Sequence, residues 1–202
     1  MIRLYDYPSC PFCRKVRVAL DEKGIKYERV FVDLRKKEQK KEEFLRLNPY
    51  SKVPVLIDND TVIYESSVIN EYLDEKYPTP PLMPSDPAGR AEVRIWVDFC
   101  ESHFHNPWFN IYREMTFRHE SERNMELIER SKNEIKEYLI RLDQELEGHE
   151  YLSVSYSLAD IAFTPRIALF DSLGIEIDSE LKNVRNWVER IKSRPSYKAL
   201  EL

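Results

Sequence analysis

At 202 residues, with 42% hydrophobic and 12% aromatic side chains, the chain carries enough apolar material for one large or two small packed domains. Its 33% charged residues supply a solvated surface, and the balance excludes a disordered chain. The net charge is −5, with 15 Lys+Arg against 14 Asp+Glu in residues 1–77 and 16 against 22 beyond. Neither half therefore has the concentrated cationic footprint that a nucleic-acid partner demands.

Met1 is followed by charged Arg3 and Asp6 rather than by an apolar leader, and no apolar run reaches the roughly 18 residues of a membrane span. The expected location is the cytoplasm, with no membrane partner. Residues 2–5 read as a strand, Pro11 to Glu22 as a helix and residues 26–32, rich in β-branched and aromatic side chains, as a second strand. The mixed-sign run at 35–43 reads as a solvated face within a helix expected over 37–47. Strands at 53–57 and 61–64 flank the turn residues Asp58, Asn59 and Asp60, and Ser66 to Lys76 closes the unit as a helix. The order βαβαββα predicts a compact α/β domain over residues 1–77.

Five prolines fall within residues 77–87, a stiff linker over 78–87 and the predicted domain boundary. From 88 to 202 the patterns are helical throughout, so the second domain is expected to be all-α. Asn106-Pro107 is expected to bend or break its first long helix. Ser157-Leu158-Ala159-Asp160 has the spacing of a capping box, a folding signal.

The chain has three cysteines, too few for a disulfide framework at this length. Two of them stand in Ser9-Cys10-Pro11-Phe12-Cys13, where the first strand gives way to the first helix. Pro11 suits the first helical position, so Cys10 falls at the helix N-terminus. The unpaired N–H groups and dipole there favour thiolate over thiol. Arg14, Lys15 and Arg17 are expected to add positive charge, bringing the Cys10 pKa below the usual value of about 8.5. Cys13, one turn along, is placed to resolve a mixed disulfide at Cys10. The other readings of the pair are half a zinc site and two buried structural cysteines. His103, His105, His119 and His149 lie remote from the pair and no second Cys pair exists, so no metal is expected. Cys100 reads as a small core residue.

The segment Leu4 to Cys13 resembles the active-site segment of a glutaredoxin, and Cys-Pro-Phe is similar to omega-class glutathione transferases and chloride intracellular channel proteins. Val53-Pro54, Glu65-Ser66 opening a helix, the proline-rich linker and the Ser157-x-x-Asp160 box extend the resemblance to the glutathione transferase superfamily across essentially the whole chain. The resemblance implies a thioredoxin-like α/β domain followed by an all-α domain, glutathione as co-substrate, and a homodimer. It implies that Cys10, with Cys13, carries a thiol transfer or reduction acting on small electrophilic or disulfide substrates. Val53 would pair its backbone with the cysteinyl unit of glutathione, with Pro54 in the cis form. Glu65 and Ser66 would hold the γ-glutamyl end, although on sequence alone they read first as an ordinary helix cap. Lys52, and less directly Lys37, would face the glycyl carboxylate, and Phe12 would line the thiol site. Tyr5 and Tyr7 are near enough for a tyrosine-activated mechanism, a role that Cys10 displaces. Trp108, Phe109, Tyr112 and Phe117 either wall an electrophile site or form helical core. The linker from Tyr77 to Pro84 also looks like that of stringent starvation protein A, a transferase-fold partner of RNA polymerase. That family lacks a Cys-Pro-x-Cys pair at this place, so the polymerase partner stands second.

Overall fold

The computed structural model describes residues 1–200. Contacts divide it into two compact units: Met1–Met83 with the tail from Pro195, and Pro84–Arg194. The first unit is built on β1 (Ile2–Asp6), β2 (Tyr27–Phe31), β3 (Val55–Asp58) and β4 (Thr61–Tyr64). They form a four-stranded sheet in the order β2-β1-β3-β4, with β1 parallel to β2 and antiparallel to β3, and β3 antiparallel to β4. This is the thioredoxin-like architecture the sequence implies. α1 (Pro11–Glu22) and α3 (Ser66–Lys76) pack their apolar stripes into one cluster with Ile2, Leu4 and Leu56. A second cluster gathers Cys13, Val32, Phe44, Val53 and Val55.

Residues 37–47 do not form the continuous helix expected of them. Lys37 adopts a left-handed φ of 57°, Glu38–Lys40 makes a 3-10 turn, and α2 is only Glu42–Leu45. The run offers the core one fully buried side chain, Phe44, so no apolar stripe holds a longer helix in place. Local bonds compete as well: Arg35 N and Lys36 N donate to Asp33 Oδ1, and Asp33 N donates to Glu38 Oε2 at 2.8 Å.

The proline-rich segment is anchored as far as Met83. Buried Lys23 donates through Nζ to Asp74 Oδ1 at 2.7 Å and to the carbonyls of Tyr77 and Pro80, while Leu82 N donates to the same Asp74 oxygen. The tail turn Pro195–Leu200, which the sequence reading grouped with the helical half, belongs to the first unit. There Ser196 Oγ hydrogen-bonds the Glu22 carboxylate on α1.

The second unit is helical: α4 (Pro87–Asp98), a π-helical turn (Phe99–Phe104), α5 (His105–Phe117), α6 (Met125–Glu145), α7 (Leu158–Ile167), α8 (Phe170–Leu173) and α9 (Lys182–Ser193), with a 3-10 turn at Glu120–Glu122. Asp86 caps α4 by accepting from Gly89 N at 2.9 Å. The irregularity expected at Asn106-Pro107 comes earlier, as the π turn. Pro107 falls in the first turn of α5, where a missing N–H costs little. The predicted capping box is formed at α7, and fully buried Trp108, Phe163 and Trp187 lie in this unit's core.

Candidate functional site

Strand register explains how residues far apart in sequence reach one edge of the sheet. Tyr5 near the end of β1 stands opposite Val55 at the start of β3, and Val55 stands opposite Tyr64 at the end of β4. Three connections therefore meet at that edge: the 7–10 loop after β1, Val53-Pro54 before β3, and Glu65-Ser66 after β4. Parallel β2 ends there too, with Phe31 opposite Asp6 and Tyr7 stacked on Phe31 at 6.1 Å. Cys10 packs on the cluster that contains Cys13, Val53 and Val55.

Cys10 is the N-cap residue of α1, with extended backbone (φ −72°, ψ 120°) and Pro11 behind it. Its N–H donates to Tyr7 O at 3.0 Å and its carbonyl accepts from Arg14 N at 3.0 Å. The residue is half-buried, whereas Cys13 is buried completely. A hydrogen bond from the Cys13 thiol, aided by the backbone N–H groups of Cys13 and Phe12, draws the Cys10 pKa below the ordinary thiol value. Burial and the charge of Asp6 oppose that shift. Cys13 moves the other way: burial pushes its thiol well up, and the hydrogen bond to Cys10 adds to the rise. The two shifts are opposed, the outer Cys10 thiol drawn down and the inner Cys13 thiol pushed up, with Cys13 the donor of the bond between them.

The basic residues expected to lower Cys10 are directed elsewhere. Arg14 Nε donates to Pro8 O at 3.1 Å, Lys15 Nζ to Ser67 Oγ at 2.8 Å, and Arg17 NH2 to Pro8 O at 2.9 Å. Arg17 also faces Asp6 at 3.8 Å, and Arg29 Nε donates to the same carboxylate at 2.7 Å. Their effect is to pin the 7–10 loop and the start of α3 against α1. Asp6, 1% exposed, reads in the sequence only as an early charge and not as a buried one. Its signal is the in-out alternation of β1, which turns residue 6 inward at the strand's end.

The Val53–Pro54 peptide bond is cis. Both residues are buried, and exposed Lys52 precedes them, its carbonyl accepting from Asn48 Nδ2 at 2.8 Å. Glu65 is exposed and holds φ 69°, ψ 114° at the N-cap of α3 without a side-chain capping bond. A positive φ at a non-glycine residue costs of order 1–3 kcal/mol, and here it turns the chain from β4 into α3. Ser66, buried, occupies the first helical position. The ordinary-cap reading of Glu65 thus lacks its defining bond. Phe12 is half-buried in the first turn of α1, and Lys37 lies exposed on the loop after β2.

In the second unit Trp108 is wholly buried, stacks on Tyr112 at 5.1 Å and donates through Nε1 to Arg166 O at 3.1 Å. That makes it core, while Phe109 and Phe117 are exposed. Cys100 is buried, its Sγ 3.3 Å from Ala162 O. Among the described residues no cluster of three or more His, Cys, Asp or Glu is arranged to hold a metal, and no helix is long and apolar enough to cross a membrane.

A four-stranded α/β unit of this topology followed by an all-helical unit is the arrangement of glutathione transferases. Residues 4–81 match the family model of the glutathione S-transferase N-terminal domain and residues 105–195 that of the C-terminal domain. The chain belongs to this superfamily. It is 32% identical over 188 residues to a stringent starvation protein A homologue of Histophilus somni, covering 92% of this chain and 83% of that one. It is also 32% identical over 192 residues to glutathione S-transferase F10 of Arabidopsis thaliana, covering 92% and 89%. A solved glutathione transferase from Burkholderia graminis, with two glutathione molecules bound per subunit, superposes with a TM-score of 0.84 at 29% identity. That match covers 99% of this chain and 87% of that one.

Proposed function

We propose that the protein is a glutathione-dependent thiol transferase or reductase whose nucleophile is Cys10. The observation that carries this reading is geometric: half-buried Cys10 caps the N-terminus of α1 with buried Cys13 one turn along, and the Cys13 hydrogen bond draws the Cys10 pKa down. The Cys10 thiolate attacks the glutathionyl sulfur of a mixed disulfide. A Cys10–glutathione disulfide forms, the original S–S bond breaks, and the substrate leaves as a thiolate that takes up a proton. The thiolate of a second glutathione then attacks the adduct, which releases glutathione disulfide and restores Cys10. Val53 offers backbone to the cysteinyl unit of the bound tripeptide. Glu65 meets its ammonium, and the N-terminus of α3 with Ser66 meets its α-carboxylate. Lys52 faces the glycyl carboxylate and Phe12 lines the thiol site. The same site would present glutathione to small electrophiles as a side activity.

The likeness to stringent starvation protein A homologues favours a second reading, a non-enzymatic regulator that binds RNA polymerase. Calorimetric titration with glutathione separates the two. The enzyme reading expects saturable binding that weakens at least about tenfold in Ser66→Ala, through loss of a charge-assisted hydrogen bond. Absence of any binding would leave the regulator.

Cys13 tunes Cys10 in this scheme and does not initiate. Glutathione itself resolves the adduct, so Cys13→Ser should retain most of the activity toward a glutathionylated substrate, within about tenfold of the parent. A variant as inactive as Cys10→Ser would require a strictly dithiol mechanism instead.

A further inference from the structure

The buried Asp6 carboxylate lies where β1 gives way to the cysteine loop, and its two arginines hold it unequally. Arg29, exposed on the edge strand β2, donates through Nε to Asp6 Oδ2 at 2.7 Å and reaches the same oxygen with Nη2. Arg17 approaches from α1, but its Nη1 stops 3.8 Å from that oxygen, about 1 Å beyond a hydrogen bond. Asp6 Oδ1 and both Nε and Nη1 of Arg17 are buried without a hydrogen-bond partner among the described residues. Buried polar atoms are seldom left in that state, and here an acceptor and two donors stand just short of a paired arrangement.

That second pairing would disturb the cysteine loop. Arg17 Nη2 donates to Pro8 O at 2.9 Å, a carbonyl that also accepts from Arg14, and the next carbonyl, Tyr7 O, takes the Cys10 N–H. Cys13 and Arg17 are one turn apart on α1, so the side of the helix that meets Asp6 also carries the inner thiol. A carboxylate drawn onto the Arg17 fork would move toward α1 and compete with Pro8 O for the same guanidinium. The charge of Asp6 already opposes the lowering of Cys10 and adds to the rise of Cys13. Tyr27 on β2, pushed up to about 12 by burial, stays neutral beside it. Asp21, a turn farther along α1, faces Arg17.

We propose that Arg29 is a positioning residue for Cys10: by holding the Asp6 carboxylate toward β2 it keeps that charge off the Arg17 fork and leaves the fork to steady the Pro8 carbonyl. Arg29 is too exposed for its own charge to carry far, so its influence runs through Asp6. The inference rests on Cys10 as the reactive thiol of the proposed function and needs no turnover.

Alkylation of the full-length protein by iodoacetamide, followed at Cys10 itself by peptide mass spectrometry across pH, reads the effect. Arg29→Met should raise the Cys10 midpoint by about half a pH unit. Arg29→Lys, which keeps the charge without the fork, should fall between it and the parent. Asp6→Asn should lower the midpoint, because the opposing charge is gone, and adding Arg29→Met to Asp6→Asn should change nothing further. A general loosening of the fold would instead move both single variants upward, toward the ordinary thiol value. An unchanged midpoint in Arg29→Met would overturn the proposal, and that surface variant decides even where Asp6→Asn does not fold. An equal upward shift with and without Asp6 would also overturn it, by assigning the effect to the charge of Arg29 alone. Turnover of a glutathione mixed disulfide is assayed separately. The expected shifts in a protein inactive toward glutathione would sink the thiol-transferase reading and leave Arg29 in this role.

Discussion

Cys10→Ser should lower the reduction of a small glutathione mixed disulfide on the order of a thousandfold or more, because the atom that forms the covalent adduct is gone. The same substitution should remove the fast phase of alkylation by iodoacetamide. In the parent that phase should titrate with a midpoint below about 8.5, the ordinary cysteine value. The sign follows from the direction of the shift. A lowered pKa keeps the reactive thiolate populated between the folded midpoint and the ordinary one, and the fast phase fades as pH falls through the folded midpoint. Cys13, pushed up by burial, remains a thiol across that window and contributes no second fast phase. Its hydrogen bond is the largest influence holding Cys10 down, so Cys13→Ala should move the midpoint upward. Cys13→Ser, which retains an O–H donor, should move it less. Full activity in Cys10→Ser, or a Cys10 that titrates like a free cysteine, would transfer the chemistry to a tyrosine or remove it altogether.

What the sequence disclosed about this site was local, and what it concealed was long-range. Pro11 and the 3.6-residue apolar spacing of Val16, Ala19 and Leu20 place α1, and with it Cys10 at the cap, because a helix start depends on a few neighbouring residues. Val53-Pro54 and Glu65-Ser66 were legible as motifs only through family resemblance. Their meeting with Cys10 rests on sheet register, which no short window encodes. The same limit explains Arg14, Lys15 and Arg17. Sequence proximity made them neighbours of Cys10, but their side chains bond Pro8 O and Ser67 Oγ. Residues 37–47 illustrate the opposite error: strong helix formers summed to a helix, yet one buried side chain, Phe44, could not anchor it. The π turn left no recognisable sequence mark, since Phe99 to Phe104 reads as continuous helix.

Asp160→Ala should destabilise the protein by roughly 3 kcal/mol or more, a large share of the 5–15 kcal/mol typical of a folded domain. The carboxylate is fully buried. Its Oδ1 accepts from Leu152 N at 3.1 Å and from Trp187 Nε1 at 2.8 Å, and its Oδ2 accepts from Ser157 N at 2.9 Å and Ser157 Oγ at 3.2 Å. One side chain thus ties the 152–157 loop and α9 to the start of α7. Alanine would strand three buried N–H donors, each costing about 1–3 kcal/mol. Ser157→Ala, which removes only the cap, should cost about 1 kcal/mol. Asp160→Asn keeps one accepting oxygen and should fall between the two. Burial pushes the Asp160 carboxyl up, against the pull of the hydrogen bonds it accepts. A raised folded-state pKa means that the stabilising contribution is complete below the ordinary carboxylate pKa and declines as pH rises through the folded value. The deficit of Asp160→Asn, which cannot ionise, should accordingly be largest on the acid side and shrink toward neutrality. Urea unfolding of the parent and the three variants across that pH range reads both effects. An Asp160→Ala protein within about 1 kcal/mol of the parent would show that the loop and α9 are held by apolar packing and that the buried carboxylate is incidental.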